Sequence, residues 1–323
     1  MQKKLNTILK MIAESKEPIG SKEISAKLKD LGIEMSERTV RYHLKQLNDK
    51  GLLKVFWKEG RMLTKKGKEE LENSMISEKI GLISSHLESL SYMMDFDLGR
   101  MSGTVIINVS IFHKSEFPKA LKIMKEVFDK KLSMGNRVLI AESGQEVGDL
   151  VVPKGKIAFG TLCAINLNGI LLKSSIPVES KFGGVVQIED SKPLRFTELI
   201  SYSGSTLDPH EIFMRSKMTS VREAAKGSGK VLAGLREIPV MAREDAETII
   251  NNVEEAGIGN VLYIGKPEQP VLGMPVGLER VGIVIPGGLN AVAACEEWGI
   301  ETESKALSAL VDFGRLQSFY EYS

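Results

Sequence analysis

The chain has 323 residues and a formal net charge of +1, with 42% hydrophobic and 26% charged residues. That length favours two domains, and that composition excludes a disordered chain. Two cysteines far apart, Cys163 and Cys295, exclude a disulfide scaffold and a cysteine-rich zinc site and suit a reducing, cytoplasmic setting. No apolar run is long enough for a membrane span, and the N-terminus MQKKLNTILKMIAESKE spaces its apolar residues as no signal peptide does.

The charge is unevenly placed. Residues 1–70 carry 17 Lys+Arg against 10 Asp+Glu, a net of +7, and the rest of the chain carries −6. A basic head on an acidic body points to a polyanion as the head's partner, with a solvated Lys-rich surface as the plainer reading.

The head has helical spacing. Leu5, Ile8, Leu9 and Ile12 make one apolar face, which Pro18 and Gly20 end. Ser21 is the expected N-cap of a second helix carrying Ile24, Leu28 and Leu31 and stopping near Gly32. Ser36 is the expected N-cap of a third, in which Val40, Leu44 and Leu47 point inward and Gly51 is the stop. The opposite face carries Arg38, Tyr42 and Lys45, with Arg41 beside them. LLKVFWKEGRMLT (52–64) then reads as two short strands joined through Lys58, Glu59 and Gly60.

Three helices and a basic hairpin are the order of a winged helix-turn-helix, whose third helix enters the major groove. Ser36, Arg38, Thr39, Arg41, Tyr42 and Lys45 are its candidate DNA contacts, and Lys58 and Arg61 would follow the backbone from the wing. His43, near the inward face, reads as a packed core residue. A winged helix that binds another protein is the competing interpretation.

Residues 65–98 read as helical, with Leu71, Met75, Leu82, Ile83, His86, Leu87, Leu90 and Met94 in an approximate stripe. This gives a winged helix over 1–70, a helical linker over 71–98 and an α/β body over 99–323, an α+β protein overall.

In the body, 105–112 is an expected strand, 118–130 an amphipathic helix and 137–142 a strand. The stretch 156–190 reads as alternating strands, with Asn168-Gly169 as a hairpin turn and Gly183-Gly184 as a bulge or close approach. A strand or helix and a polar loop follow over 196–213. The last third reads as helix 219–229, strand 230–240, helix 242–259, strand 260–267 and then strand, glycine turn and helix over 279–300. No fixed-period repeat is visible.

Tests for catalysis fail. GSGK (227–230) lacks the upstream glycine and following hydroxyl of a phosphate loop, His210-Glu211 lacks a second histidine, and no nucleophile elbow or metal cluster is present. Cys163 reads as a small buried hydrophobe. Gly287-Gly288 with Asn290 at a helix start remains a candidate anion site, near Arg236, Arg243 and Lys266, although an ordinary strand-to-helix turn explains it equally.

The strings GTLCAINLNGILLKSSIPVESKFGGVVQIE (160–189), GSGKVLAGLREIPVMARE (227–244), VLYIGKPEQPVLGMPV (261–276) and GIVIPGGLNAVAACEEWGI (282–300) resemble the effector domain of the NrpR family, archaeal repressors of nitrogen-assimilation and nitrogen-fixation genes. The resemblance includes the winged helix and spans most of the chain. It implies an oligomer on a palindromic operator, released by 2-oxoglutarate as allosteric effector with no cofactor, metal or catalytic activity. Some members carry two tandem effector domains and others split them between two polypeptides; this chain has room for one, so a second copy or a companion NrpR-domain protein is expected. Pocket candidates on this reading are Thr161, Cys163, Gly183, Gly184, Arg236, Gly287, Gly288 and Asn290. An enzyme with a DNA-binding head, laid out like a biotin ligase, and a protein-interaction module are the other classes considered.

Overall fold

The computed structural model describes residues 7–9, 11–13, 15, 17–30, 35–57, 59–68 and 82–322. The chain divides into two units, Met1–Gly81 and Leu82–Ser323.

In the first unit, residues 7–9 and 11–13 are helical and bury Ile8, Leu9, Met11 and Ile12. Leu5, expected on this face, lies outside the described residues. Helix α1 (Ser21–Asp30) buries Ile24 and Leu28. Its cap differs from expectation. Ser21 lies inside the helix, the Ile24 amide donates to the Gly20 carbonyl, and Ser21 Oγ donates to Glu37 Oε1 at 3.0 Å. The hydroxyl thus ties α1 to the next helix instead of closing its own. The expected stop at Leu31 and Gly32 lies outside the described residues.

Helix α2 (Glu37–Asp49) starts behind Ser36, whose Oγ accepts from the Thr39 amide at 3.2 Å. Val40, His43, Leu44 and Leu47 are buried. Strands β1 (Leu53–Phe56) and β2 (Gly60–Leu63) pair antiparallel, with Val55 opposite Arg61. Gly60 has φ +137°, and a Cβ there would collide with the Ile19 backbone. That approach lets Ile19 and Arg61 exchange two backbone hydrogen bonds, of 3.1 and 3.0 Å. Helices followed by this hairpin make a winged helix.

Residues 69–81 of the expected connecting helix lie outside the described residues. Its later part is helix α3 (Ile83–Met93), an element of the second unit: Ile83, Leu87, Leu90 and the following Met94 join that unit's core.

The second unit then runs β3 (Thr104–His113), α4 (Phe117–Asp129), β4 (Arg137–Glu142), β5 (Glu146–Val147), β6 (Leu150–Val151), β7 (Lys156–Leu162), α5 (Ile165–Lys173), β8 (Glu179–Glu189) and β9 (Lys192–Ser201). After these come α6 (Pro209–Arg215), α7 (Val221–Ala225), β10 (Gly229–Pro239), α8 (Arg243–Glu255), β11 (Tyr263–Ile264), β12 (Arg280–Pro286), α9 (Asn290–Glu297), β13 (Glu303–Asp312) and β14 (Gln317–Ser318). One correction concerns Asn168-Gly169, which is helical rather than a hairpin turn. Residues 165–171 are all buried, so the segment shows no polar face from which a helical period could be read. A Cβ at Gly169 would collide with Met94 Sδ, so the glycine is what lets α5 meet the end of α3. Gly183 and Gly184 do mark close approaches, inside β8.

Two five-stranded sheets, ordered β13-β3-β7-β4-β14 and β9-β8-β10-β12-β11, are antiparallel throughout. They are two copies of one plan, β3-α4-β4-β7-α5-β8 and β10-α8-β11-β12-α9-β13, with the last strands exchanged. β8 ends the first copy and pairs with β10 of the second; β13 ends the second and pairs with β3 of the first. The registers correspond: Asn108 faces Thr161 where Gly234 faces Ile285, and Ser110 faces Ser304 where Arg236 faces Ser180. The helices exchange as well, α4 packing on α9 and α8 on α5.

One side chain anchors each copy. Asn166 Oδ1 accepts from the Ile106 amide at 2.7 Å, and its Nδ2 donates to the Ile106 and Cys163 carbonyls. Asn290 Oδ1 accepts from the Leu232 amide at 2.8 Å, and its Nδ2 donates to the Leu232 and Leu132 carbonyls. Each asparagine occupies the groups at the crossing from strand to helix, where a buried amide and carbonyl need partners.

Candidate functional site

The two units offer separate surfaces. In the first, Arg38, Tyr42 and Lys45 stand exposed on α2, with Tyr42 59% exposed and its hydroxyl accepting from Gln46 Nε2 at 3.0 Å. Ser36 is occupied as the cap, and Thr39 Oγ1 lies 2.9 Å from Ser36 Oγ. Arg41 is braced, one nitrogen donating to Glu37 Oε1 at 2.6 Å and Nε to Ser21 Oγ at 3.2 Å. That guanidinium holds the Glu37 carboxyl below its ordinary pKa. Arg61 departs from expectation: it is half-buried and its Nε is enclosed without a hydrogen-bond partner, because its strand is drawn against Ile19. Lys58 lies outside the described residues. Sequence reasoning passed over Trp57, which projects from the wing at 84% exposure beside half-exposed Val55. An aromatic on a basic hairpin was the available signal.

In the second unit the structure gathers only part of the predicted pocket. Cys163, Arg236 and Gly288 line one enclosed space together with Leu87, Asn108, Tyr202, Asp208, His210 and Leu307. Gly183 and Gly287 stand immediately behind it. A Cβ on Gly183 would lie 2.9 Å from the Tyr202 hydroxyl, and one on Gly287 3.2 Å from His210 Nδ1. Three candidates fall elsewhere. Gly184 faces β9, where a Cβ would meet the Glu198 backbone. Thr161 is buried in β7, its Oγ1 without a partner. Asn290 spends its whole carboxamide on backbone.

The glycine-turn anion site is therefore corrected. The start of α9 is buried, the amides of Gly287 and Asn290 donate to the carbonyls of Leu232 and Gly287, and a Cβ on Gly288 would collide with the Leu162 carbonyl. Both glycines admit a neighbouring strand, and Gly288 also borders the Arg236 space.

Arg236 carries the site's charge. It is 1% exposed on central strand β10. Its Nε donates to Asn168 Oδ1 at 3.2 Å, a terminal nitrogen donates to the Leu235 carbonyl at 3.2 Å, and its guanidinium lies 5.2 Å from the Tyr202 ring centre. Among the described residues it makes no ion pair: Asp208 caps α6 through the His210 and Glu211 amides, and Glu237 turns to Lys181 at 3.9 Å. Burial pushes the Tyr202 phenol and the Cys163 thiol up to about 12 and holds the His210 imidazole below its ordinary value. The site is thus a buried cation beside neutral hydrogen-bonding groups and one carboxylate, Asp208, which caps α6 and makes no ion pair with it. His210 Nε2 is buried there with no partner. A buried charge in such a setting is costly until an anion joins it. Cys163, protonated and enclosed, is a wall and not a nucleophile. The enclosed space is about 10 Å³, room for one water.

Tyr202, Asp208 and His210 escaped sequence reasoning because they come from the segment between the two copies, with no spacing that ties them to Arg236. No group of acidic, histidine and cysteine side chains able to hold a metal occurs among the described residues, and no described helix is long and apolar enough to cross a membrane.

Comparison with known proteins places this arrangement. Residues 80–318 match the family described as NrpR regulatory domains NRD1 and 2, and residues 6–71 match the ribonuclease R winged-helix domain. The chain is 35% identical to the global nitrogen regulator NrpRI of Methanosarcina mazei over 97% of both chains. It is 33% and 34% identical to the global nitrogen regulators NrpR of Methanococcus maripaludis and Methanocaldococcus jannaschii, covering 54% and 55% of those longer proteins. A crystal structure of a nitrogen repressor-like protein from Methanococcus jannaschii aligns with a TM-score of 0.64 and 30% identity, over 74% of this chain and 99% of that one. The relatives that match nearly the whole of this chain are named as nitrogen regulators, which speaks against the biotin-ligase-like alternative.

Proposed function

The chain belongs to the NrpR family of nitrogen regulators, and from that premise we propose that it is a transcriptional repressor that holds operator DNA through its winged helix and releases it when 2-oxoglutarate occupies the Arg236 site. The observation that carries the effector assignment is the buried guanidinium without an ion pair, facing an enclosed space beside the unpartnered His210 Nε2. One carboxylate of 2-oxoglutarate is the anion this cation needs, and Tyr202 and His210 are donors suited to its oxygens. The one-water space must widen to admit it, so ligand-bound and ligand-empty forms differ in conformation. That difference is what allows effector and DNA affinities to oppose one another.

At the head, Arg38, Tyr42 and Lys45 face the groove from α2, and Arg41 supports them while keeping its outer edge to solvent. A homodimer or higher oligomer presents two such heads to a palindromic site, alone or with a companion NrpR-domain protein.

Calorimetry on the full-length chain tests the effector half: 2-oxoglutarate binds, glutarate binds more weakly, and Arg236→Met reduces affinity at least about 100-fold. Equal affinity in Arg236→Met removes the assignment. The DNA half is tested with a duplex that the chain selects from a random-sequence pool. Arg38→Ala and Lys45→Ala each lower the slope of log affinity against log salt by about 0.9 per lost phosphate contact. A flat salt dependence in the wild-type chain favours the protein-interaction module instead.

A further inference from the structure

The Arg236 cavity and the groove beside it share one wall. Leu87 of α3 lines the closed space at Arg236 and also an open groove of about 460 Å³ that includes Asn168, Ser203 and Arg280. Asn168 is the side chain that accepts from Arg236 Nε. Leu87, itself 3% exposed, is thus a wall common to the buried cation's space and to the surface groove.

Two of the other walls resist movement. β3 and β10 are central strands, bonded on both edges and buried along nearly their whole length. Helix α3 is held more lightly. It joins no sheet, and its outer face is open, Tyr92 and Met93 being 74% and 61% exposed, while Ile83, Leu87 and Leu90 pack inward. The Ile83 amide donates to the Ser205 carbonyl at 2.9 Å, and Lys173 Nζ donates to the Tyr92 carbonyl at 3.4 Å. Ser205 lies in the exposed turn that runs directly into Asp208 and His210 of the site. The chain also enters the second unit at Leu82, one residue before α3 begins.

We propose that α3 is the moving wall of the Arg236 pocket, and that a dicarboxylate pushing Leu87 outward is how occupancy of the pocket reaches the chain leading to the winged helix. This rests on the reading of the pocket as the 2-oxoglutarate site. The ligand separates Leu87 from Arg236, α3 shifts and releases Ser205, and the start of the helix carries the displacement to the connection with the N-terminal unit.

The test uses the full-length chain. On saturation with 2-oxoglutarate, the amides of Ile83–Leu87 exchange with deuterium about tenfold faster, while those of β3 do not. Leu87→Ala raises the association rate of the ligand about tenfold, the signature of a gate and not of a lost contact. With a duplex that the wild-type chain selects from a random pool, 2-oxoglutarate weakens wild-type DNA binding at least about tenfold and Leu87→Ala binding less than about twofold. Leu87→Val replaces Leu87→Ala if the latter fails to fold, and the exchange measurement needs no variant. Unchanged exchange at 83–87, or intact coupling in the variant, overturns the role of α3 and leaves the pocket assignment standing. Failure of the wild-type chain to bind 2-oxoglutarate overturns the assignment and this inference together.

Discussion

The two copies inside the second unit are built alike and finished differently. Both cross from strand to helix over an asparagine with three backbone hydrogen bonds. Two residues further along each central strand than the pair Asn108 and Gly234, they diverge. In the first copy Ser110 Oγ and Ser304 Oγ lie 2.7 Å apart, a neutral pair that satisfies itself. In the second the same register position is Arg236, opposite Ser180, with no ion pair among the described residues. The shared anchors hold the frame, and the chemistry sits where the copies stop agreeing. A self-satisfied hydroxyl pair has no use for a ligand, whereas a desolvated cation does.

The comparison breaks most visibly at the anchors. Asn290→Ala and Asn166→Ala are each expected to cost about 3 kcal/mol, because each leaves a buried strand amide, that of Leu232 or of Ile106, without its partner. Calorimetric unfolding checks this, and a difference of more than about 2 kcal/mol between the two would mean that the copies are not equivalent.

The next largest effect separates the copies. Gly288→Ala drives a methyl into the Leu162 carbonyl and the Asn108 side chain and is expected to cost about 2 kcal/mol. The corresponding residue of the first copy is already Ala164, and Ala164→Gly is expected to cost about 1 kcal/mol or less. The denaturant midpoints of the two variants give the ratio.

Arg236→Met acts on the divergence itself. The empty protein is expected to be unchanged or stabilised by about 1 kcal/mol, since an unpaired buried charge is replaced by a side chain of similar reach. Its melting temperature then no longer responds to 2-oxoglutarate.

The smallest expected effect concerns pH. His210 has a folded-state pKa below its unfolded value, so it contributes no penalty above about pH 6.5. As pH falls below that, the unfolded chain takes up a proton that the folded chain refuses, and stability declines toward the folded pKa. Glu211, raised by burial, has the opposite sign, since its folded form keeps a proton that the unfolded form releases as pH rises. The difference in melting temperature between wild type and His210→Gln, followed from pH 7 to 5, isolates the histidine. A difference that stays constant with pH would remove its role.

The head was readable because its determinants are local. Ser36 caps α2, Val40, Leu44 and Leu47 turn inward along the same helix, and Gly60 opens the second strand of the wing. Arg236 was readable as one of three cations near strand ends, with Arg243 and Lys266, while its burial was not. Helix α5 was not, because burial on every side removed its polar face and left Asn168-Gly169 resembling a turn. Nor were Tyr202, Asp208 and His210, whose nearness to Arg236 depends on the passage from β9 through α6 back to β10. The duplication was hidden as well: its two copies agree in register and hydrogen bonding, with little beyond the anchor asparagine that a single sequence displays.

The exchange of last strands has a kinetic consequence. β13 must find β3 from the far end of the chain, and the Val109–Ser308 bond spans 199 residues. Neither sheet is complete until a strand arrives from the other copy, so neither half can fold first and wait. Contacts this distant in sequence slow folding, because the chain must close a large loop before they form. The second unit is thereby committed to a slow and concerted assembly, while the winged helix, stitched by near neighbours, can fold ahead of it.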